Sequence, residues 1–67
     1  MLRTLVNQSP EGEVILEIWN DANGRKLTAY FEPNAVEVLA VDRHGSTASQ
    51  VITAPGDWLF YWDFLLK

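Results

Sequence analysis

Glu13-Val14-Ile15-Leu16-Glu17-Ile18-Trp19-Asn20-Asp21-Ala22-Asn23-Gly24-Arg25-Lys26-Leu27-Thr28-Ala29-Tyr30-Phe31-Glu32 places two runs rich in β-branched and aromatic residues on either side of an Asn-Gly pair. A type I′ hairpin turn needs two central residues at positive φ, and Asn and Gly reach that region at least cost. A two-residue loop at Asn23-Gly24 pairs Ile18 with Ala29 and Leu16 with Phe31. A four-residue loop, Asp21 to Gly24, slides the pairing by two. Side chains alternate across a strand, so both registers put Val14, Leu16, Ile18, Leu27, Ala29 and Phe31 on one face.

Working outward, Glu32-Pro33-Asn34-Ala35 reads as a turn that sets Phe31 opposite Val36 and adds Val36, Val38 and Ala40 to that face. Read as a four-residue loop, the next turn, Arg43-His44-Gly45-Ser46, adds Ser49, Val51 and Thr53. The opposite face then collects Glu13, Ile15, Glu17, Trp19, Thr28, Tyr30, Glu32, Glu37, Leu39, Val41, Gln50 and Ile52. Further turns fall at Ser9-Pro10-Glu11-Gly12 and Ala54-Pro55-Gly56-Asp57, and this regular spacing is that of a meander. Strands are expected near 2–7, 13–20, 26–32, 35–42 and 47–53. Asn34-Ala35-Val36-Glu37 also matches a capping box, with Gly45 as a helix terminator, which would make 35–44 helical. Three valines in six residues favour the strand.

Residues 58–67, Trp-Leu-Phe-Tyr-Trp-Asp-Phe-Leu-Leu-Lys, hold five of the eight aromatic residues. Pro55-Gly56 breaks the preceding strand, Asp57 suits a helix N-cap, and Asp63 and Lys67 stand at the spacing of a surface ion pair. The reading is a helix near 58–66 with Trp58, Trp62, Leu65 and Leu66 toward the sheet, Phe60 and Phe64 on one flank and Leu59 on the other. Its alternative is a sixth strand. The fold class is thus α+β: an antiparallel β-meander of about five strands packed by one aromatic-rich C-terminal helix, a single small domain over 1–67. Away from Asp63 and Lys67 the helix is apolar almost all round, more than one sheet can cover.

Composition narrows the function classes. The chain is 48% apolar and 21% charged, a globular balance, and it has no cysteine for a disulfide or a thiolate zinc site. Net charge is −4, and the five Lys/Arg residues are too scattered for a phosphate-binding footprint, so direct nucleic-acid binding is not expected. No apolar run approaches the roughly 18 residues of a spanning helix, so no membrane partner is expected. The N-terminal stretch lacks the apolar core of a secretory signal, and the expected location is cytoplasmic. Asn7-Gln8-Ser9 matches the glycosylation spacing, which has no consequence in that compartment.

Asp42-Arg43-His44-Gly45-Ser46 gathers the groups of a nucleophilic triad, but a triad brings them from separate elements, whereas these are consecutive turn residues. His44 and Asp42 give two ligands where a catalytic zinc needs three. Glu17 and Glu37 flank Tyr30 with no cleft implied around them. No cofactor and no enzymatic activity are expected.

The expected function is a small protein–protein interaction module, homodimeric or a subunit of a larger assembly. Trp19, Tyr30, Leu59, Phe60 and Phe64 are its contact residues, because aromatic side chains dominate interface cores. The alternative is a small acidic inhibitor or regulator. It would occupy a basic site on a nucleic-acid-processing protein, with Glu13, Glu17, Glu32 and Glu37 standing in for phosphates.

Overall fold

A computed structural model describes residues 2–67. Five strands, β1 (Leu2–Gln8), β2 (Val14–Asn20), β3 (Arg25–Glu32), β4 (Ala35–Val41) and β5 (Thr47–Ile52), precede one helix, α1 (Gly56–Leu66). The strands form one antiparallel sheet in the order β1-β2-β3-β4-β5, and α1 crosses one face of it. This is the α+β meander expected from the sequence, with 35–41 a strand and the aromatic C-terminal segment a helix.

The central register follows from the turns. Asn20 pairs with Arg25 across a four-residue loop, so Ile18 faces Leu27 and Leu16 faces Ala29. The Asn23-Gly24 pair is not a type I′ turn, because no non-glycine residue among those described has positive φ. Gly24, at φ 70°, carries the left-handed position alone, and a Cβ there would lie 2.6 Å from Cβ of Arg43 in the neighbouring turn. Glycine is therefore required by conformation and by space. Phe31 faces Val36 across the Pro33-Asn34 loop, as expected.

The β4–β5 turn corrects the sequence reading. Gly45, at φ 85°, donates its N–H to Asp42 O, and the N–H of Asp42 reaches Ser46 O at 3.0 Å. That pattern is a type I turn closed by a left-handed glycine, a three-residue loop rather than a four-residue one. Losing one loop residue moves β5 by one place and exchanges its faces. Val38 therefore pairs with Gln50, Ala40 with Ala48 and Val36 with Ile52. Ala48, Gln50 and Ile52 join the helix side, while Ser49 and Val51 lie on the other; Thr53 falls outside the strand.

The core lies between α1 and the middle of the sheet. Ile18, Leu27, Ala29, Val38 and Ala40 are buried beneath Tyr61 and Leu65, with Leu16, Val36, Ile52, Trp58 and Phe64 packed at the margin. Small Ala29 and Ala40 let the helix approach closely. Val38 and Leu65 are fully buried, and every described residue of β1 is exposed.

Helix rotation is the second correction. Trp58, Tyr61 and Leu65 point to the sheet, whereas Trp62 and Leu66, expected to be central, are exposed. The two corrections meet in one contact. Once Gln50 faces the helix, its Oε1 accepts the Tyr61 hydroxyl at 2.9 Å, and a tyrosine can be buried because its polar tip has a partner. At the helix start Pro55 occupies the N-cap without a side-chain hydrogen bond. Asp57, expected as the cap, instead reaches back from the first turn to accept the N–H groups of Thr53 and Ala54 at 3.2 and 3.3 Å. Asp63 and Lys67 form the expected ion pair at 2.9 Å.

Candidate interaction surface

The surface of interest is built on α1, whose far end is fixed by the β2–β3 hairpin. Carbonyls in the last turn of a helix have no intrahelical donor. Here the Nδ2 groups of Asn20 and Asn23 donate to Leu65 O at 2.8 and 2.9 Å, and Nη1 of Arg25 donates to Phe64 O at 2.6 Å. The guanidinium of Arg25 also lies over the Phe64 ring. With Tyr61–Gln50 nearer its start, α1 is locked in rotation as well as position.

That lock divides the helix into two apolar stripes of identical spacing. Trp58, Tyr61 and Leu65 stand at i, i+3 and i+7 and face inward, with Tyr61 3% and Leu65 0% exposed. Leu59, Trp62 and Leu66 repeat the same spacing one residue later, turned by about 100°, and are 71%, 39% and 59% exposed. Phe60 lies on the opposite flank, where with Phe64, Ala40 and Ala48 it rims an apolar depression of about 170 Å³. The outward stripe therefore faces the β1 side. There Leu2 and Val6 share the helix side of the sheet, as their pairing with Asn20 and Leu16 requires, and both are exposed.

Among the described residues no element packs over the other face of the sheet. Trp19 lies on it between two cations, with Arg3 and Lys26 5.2 and 5.0 Å from its ring centre. Lys26 Nζ is 2.7 Å from Glu17 Oε1, and Arg3 makes a paired contact with Asp21 at 2.8 and 2.9 Å. The hydrogen bonds from Arg3 hold the Asp21 carboxyl below the usual carboxylate range. Tyr30 is half-buried and pairs with Glu37, and Thr28 is buried between Glu17 and Leu39.

The five aromatic and aliphatic residues expected to form one contact thus occupy separate places. Trp19 and Tyr30 lie on the open sheet face, Leu59 on the outward stripe, Phe60 on the other flank, and Phe64 at the margin of the core. Alternation puts Glu17, Glu32 and Glu37 on the open face, with Glu13 just before β2, but Lys26 and Arg3 share that face. Sequence reasoning passed over Trp62 and Leu66 as surface residues and over Arg3 and Lys26 as partners of Trp19. The i, i+3, i+7 spacing of Leu59, Trp62 and Leu66 is the signal that marks the first of these.

Asp42 and His44 behave as turn residues. Burial pushes the Asp42 carboxyl upward, but the N–H groups of His44 and Ser46, at 2.8 and 3.0 Å, together outweigh it and hold the carboxyl below its ordinary value. Among the described residues no three His, Cys, Asp or Glu side chains gather in a metal-binding group, and no helix is long and apolar enough to cross a membrane. Comparison with protein-family models, curated proteins and solved structures finds no match to the chain.

Proposed function

We propose that the chain is a protein–protein interaction module of the cytoplasm that self-associates and carries no catalytic activity of its own. The observation that supports this reading is the outward stripe of α1, in which Leu59 and Leu66 are more than half exposed and Trp62 is partly so. Monomeric proteins rarely expose contiguous apolar patches beyond a few hundred Å². Leu59, Trp62 and Leu66 leave apolar surface exposed together on one side of α1, and Leu2 and Val6 are exposed on the same side of the sheet, in a chain of only 67 residues. A domain this small buries only about 60% of its unfolded surface, so covering the patch would also add stability that the core alone supplies poorly.

The acidic-inhibitor reading has less support, because Glu17 is neutralised by Lys26 on the face that would have to imitate phosphates. Sedimentation equilibrium from micromolar to about 100 µM protein tests the proposal. The expected result is a dimer or a closed oligomer whose population rises with concentration. A sharp monomer throughout would count against self-association.

A further inference from the structure

We infer that Asn23 is a latent site of self-deamidation. While the β2–β3 hairpin holds the end of α1, the site is unreactive; once that contact opens, Asn23 and Gly24 convert the side-chain amide to a carboxylate that cannot remake the contact. The inference stands apart from the self-association proposed above.

The chemistry lies in the Asn23-Gly24 pair. The backbone nitrogen of Gly24, on losing its proton to solvent base, attacks Cγ of Asn23. The N–Cγ bond forms, the Cγ–Nδ2 bond breaks, and the side-chain nitrogen takes a proton from water and leaves as ammonia. Water then opens the cyclic imide at either carbonyl, giving aspartate or its isomer with the main chain running through Cγ. Water is the only co-reactant. A side chain on the attacking residue hinders its approach, and of the four asparagines only Asn23 precedes glycine, whereas Asn7, Asn20 and Asn34 precede Gln8, Asp21 and Ala35.

The fold restrains every participant. The nucleophile is occupied, because the N–H of Gly24 donates to Asn20 O at 2.9 Å. The amide under attack is held at both ends: Oδ1 accepts the N–H of Arg25 at 3.0 Å, and Nδ2, the leaving group, donates to Leu65 O at 2.9 Å. Attack therefore requires the hairpin to part from the last turn of α1, an opening that falls short of global unfolding. The product then differs from the reactant at the contact itself. A carboxylate at position 23 still accepts the N–H of Arg25, but its second oxygen meets Leu65 O acceptor to acceptor, at the negative end of the helix. Arg25, Arg43 and Lys67 line the cleft beside that position and draw the new charge away from the carbonyl. The isomer also adds a backbone atom to the loop whose length sets the pairing of Asn20 with Arg25. Leu65 O is left with Asn20 as its donor.

Incubation in mildly alkaline buffer, read by intact mass and peptide mapping, tests the site. The chain unfolded in urea should gain the mass of an amide-to-acid exchange at Asn23 before any other residue. The folded protein should react at least about tenfold more slowly, a factor that corresponds to about 1.4 kcal/mol of opening free energy. Asn23→Asp, and the deamidated wild type separated by its extra negative charge, should keep the wild-type circular dichroism. In both, amide exchange in the last turn of α1 should rise by about 2- to 10-fold, the value of one lost hydrogen bond, while β4 is unchanged. Equal rates in the folded and unfolded protein would overturn the protection, and a first product at another residue would remove Asn23 as the site. Unchanged exchange at the helix end, or loss of the whole fold in both proteins, would overturn the local release.

Discussion

Leu65 and Leu66 are neighbours of the same type on one helix, yet one is fully buried and the other more than half exposed. Tyr61 and Trp62 differ in the same direction, at 3% and 39% exposed, and the Trp58 and Leu59 pair follows the same order, so the contrast runs the length of α1. Hydrophobicity does not separate the two stripes, since both are large and apolar. What separates them is two polar locks, the Tyr61 hydroxyl on Gln50 and the Leu65 carbonyl on Asn20 and Asn23. In this helix, apolar content sets how strongly the element binds to something, and hydrogen bonds set which side binds to what.

The largest expected effect falls on the paired substitution of the two leucines. Leu65→Ala empties a fully buried position, and deletions of this kind cost about 2–5 kcal/mol. A domain of this size has about 5 kcal/mol or a little more in total, so the variant should be largely unfolded at 37 °C by circular dichroism. Leu66→Ala removes the same atoms from an exposed position. It should change monomer stability by less than about 0.5 kcal/mol and lower the dimer fraction in sedimentation. Equal loss of fold in both variants would erase the distinction between the stripes.

A smaller effect probes the lock at the helix end. Asn20 is buried, and its side chain both donates to Leu65 O and accepts the N–H of Ala22 at 3.0 Å. Asn20→Ala leaves the Ala22 N–H without its acceptor, while Asn23 still serves the carbonyl. The expected cost is about 1–3 kcal/mol, measured as a lower urea midpoint with an unchanged slope. Amide exchange should rise in the last turn of α1 before it rises in β3. Uniform exchange across the chain would mean that the hairpin does not hold the helix end separately.

Parity explains what was legible in the sequence. A loop change of two residues leaves the faces of a strand unchanged, so Val14 to Ala40 could be assigned even though the Asn23-Gly24 loop was open to two readings. A change of one residue exchanges the faces, and the Asp42–Ser46 turn hides such a change in the choice between a three- and a four-residue loop. The four-residue reading alone turns Ser49, Val51 and Thr53 inward. The helix rotation rests on another signal, the Asp63–Lys67 wedge, whose opposite side lies midway between Tyr61 and Trp62; only the Gln50 contact favours Tyr61. An almost wholly apolar wheel offers no second signal to correct the rotation. The wheel alone therefore gives Trp62 and Leu66 to the core, and only their spacing with Leu59 points the other way.

The smallest expected effect concerns the other lock and carries a pH signature. Burial, and behind it the negative charge of Asp57, raises the Tyr61 phenol above its ordinary value. The native state therefore favours the neutral phenol more than the unfolded chain does. The associated stability is present in full below the unfolded tyrosine pKa of about 10 and is lost as pH rises through the higher native value. Tyr61→Phe removes one hydrogen bond at neutral pH, worth about 0.5–1.5 kcal/mol, toward the low end because the exposed Gln50 can turn to water. It also removes the titration. Urea midpoints measured from pH 8 to 11 should fall faster for the wild type than for Tyr61→Phe, and every other titrating group is common to the two proteins. The curves should converge, or cross, at the alkaline end. Parallel curves would mean that Tyr61 ionises as freely in the folded chain as in the unfolded one. The inward stripe would then owe its orientation to packing rather than to the Gln50 contact.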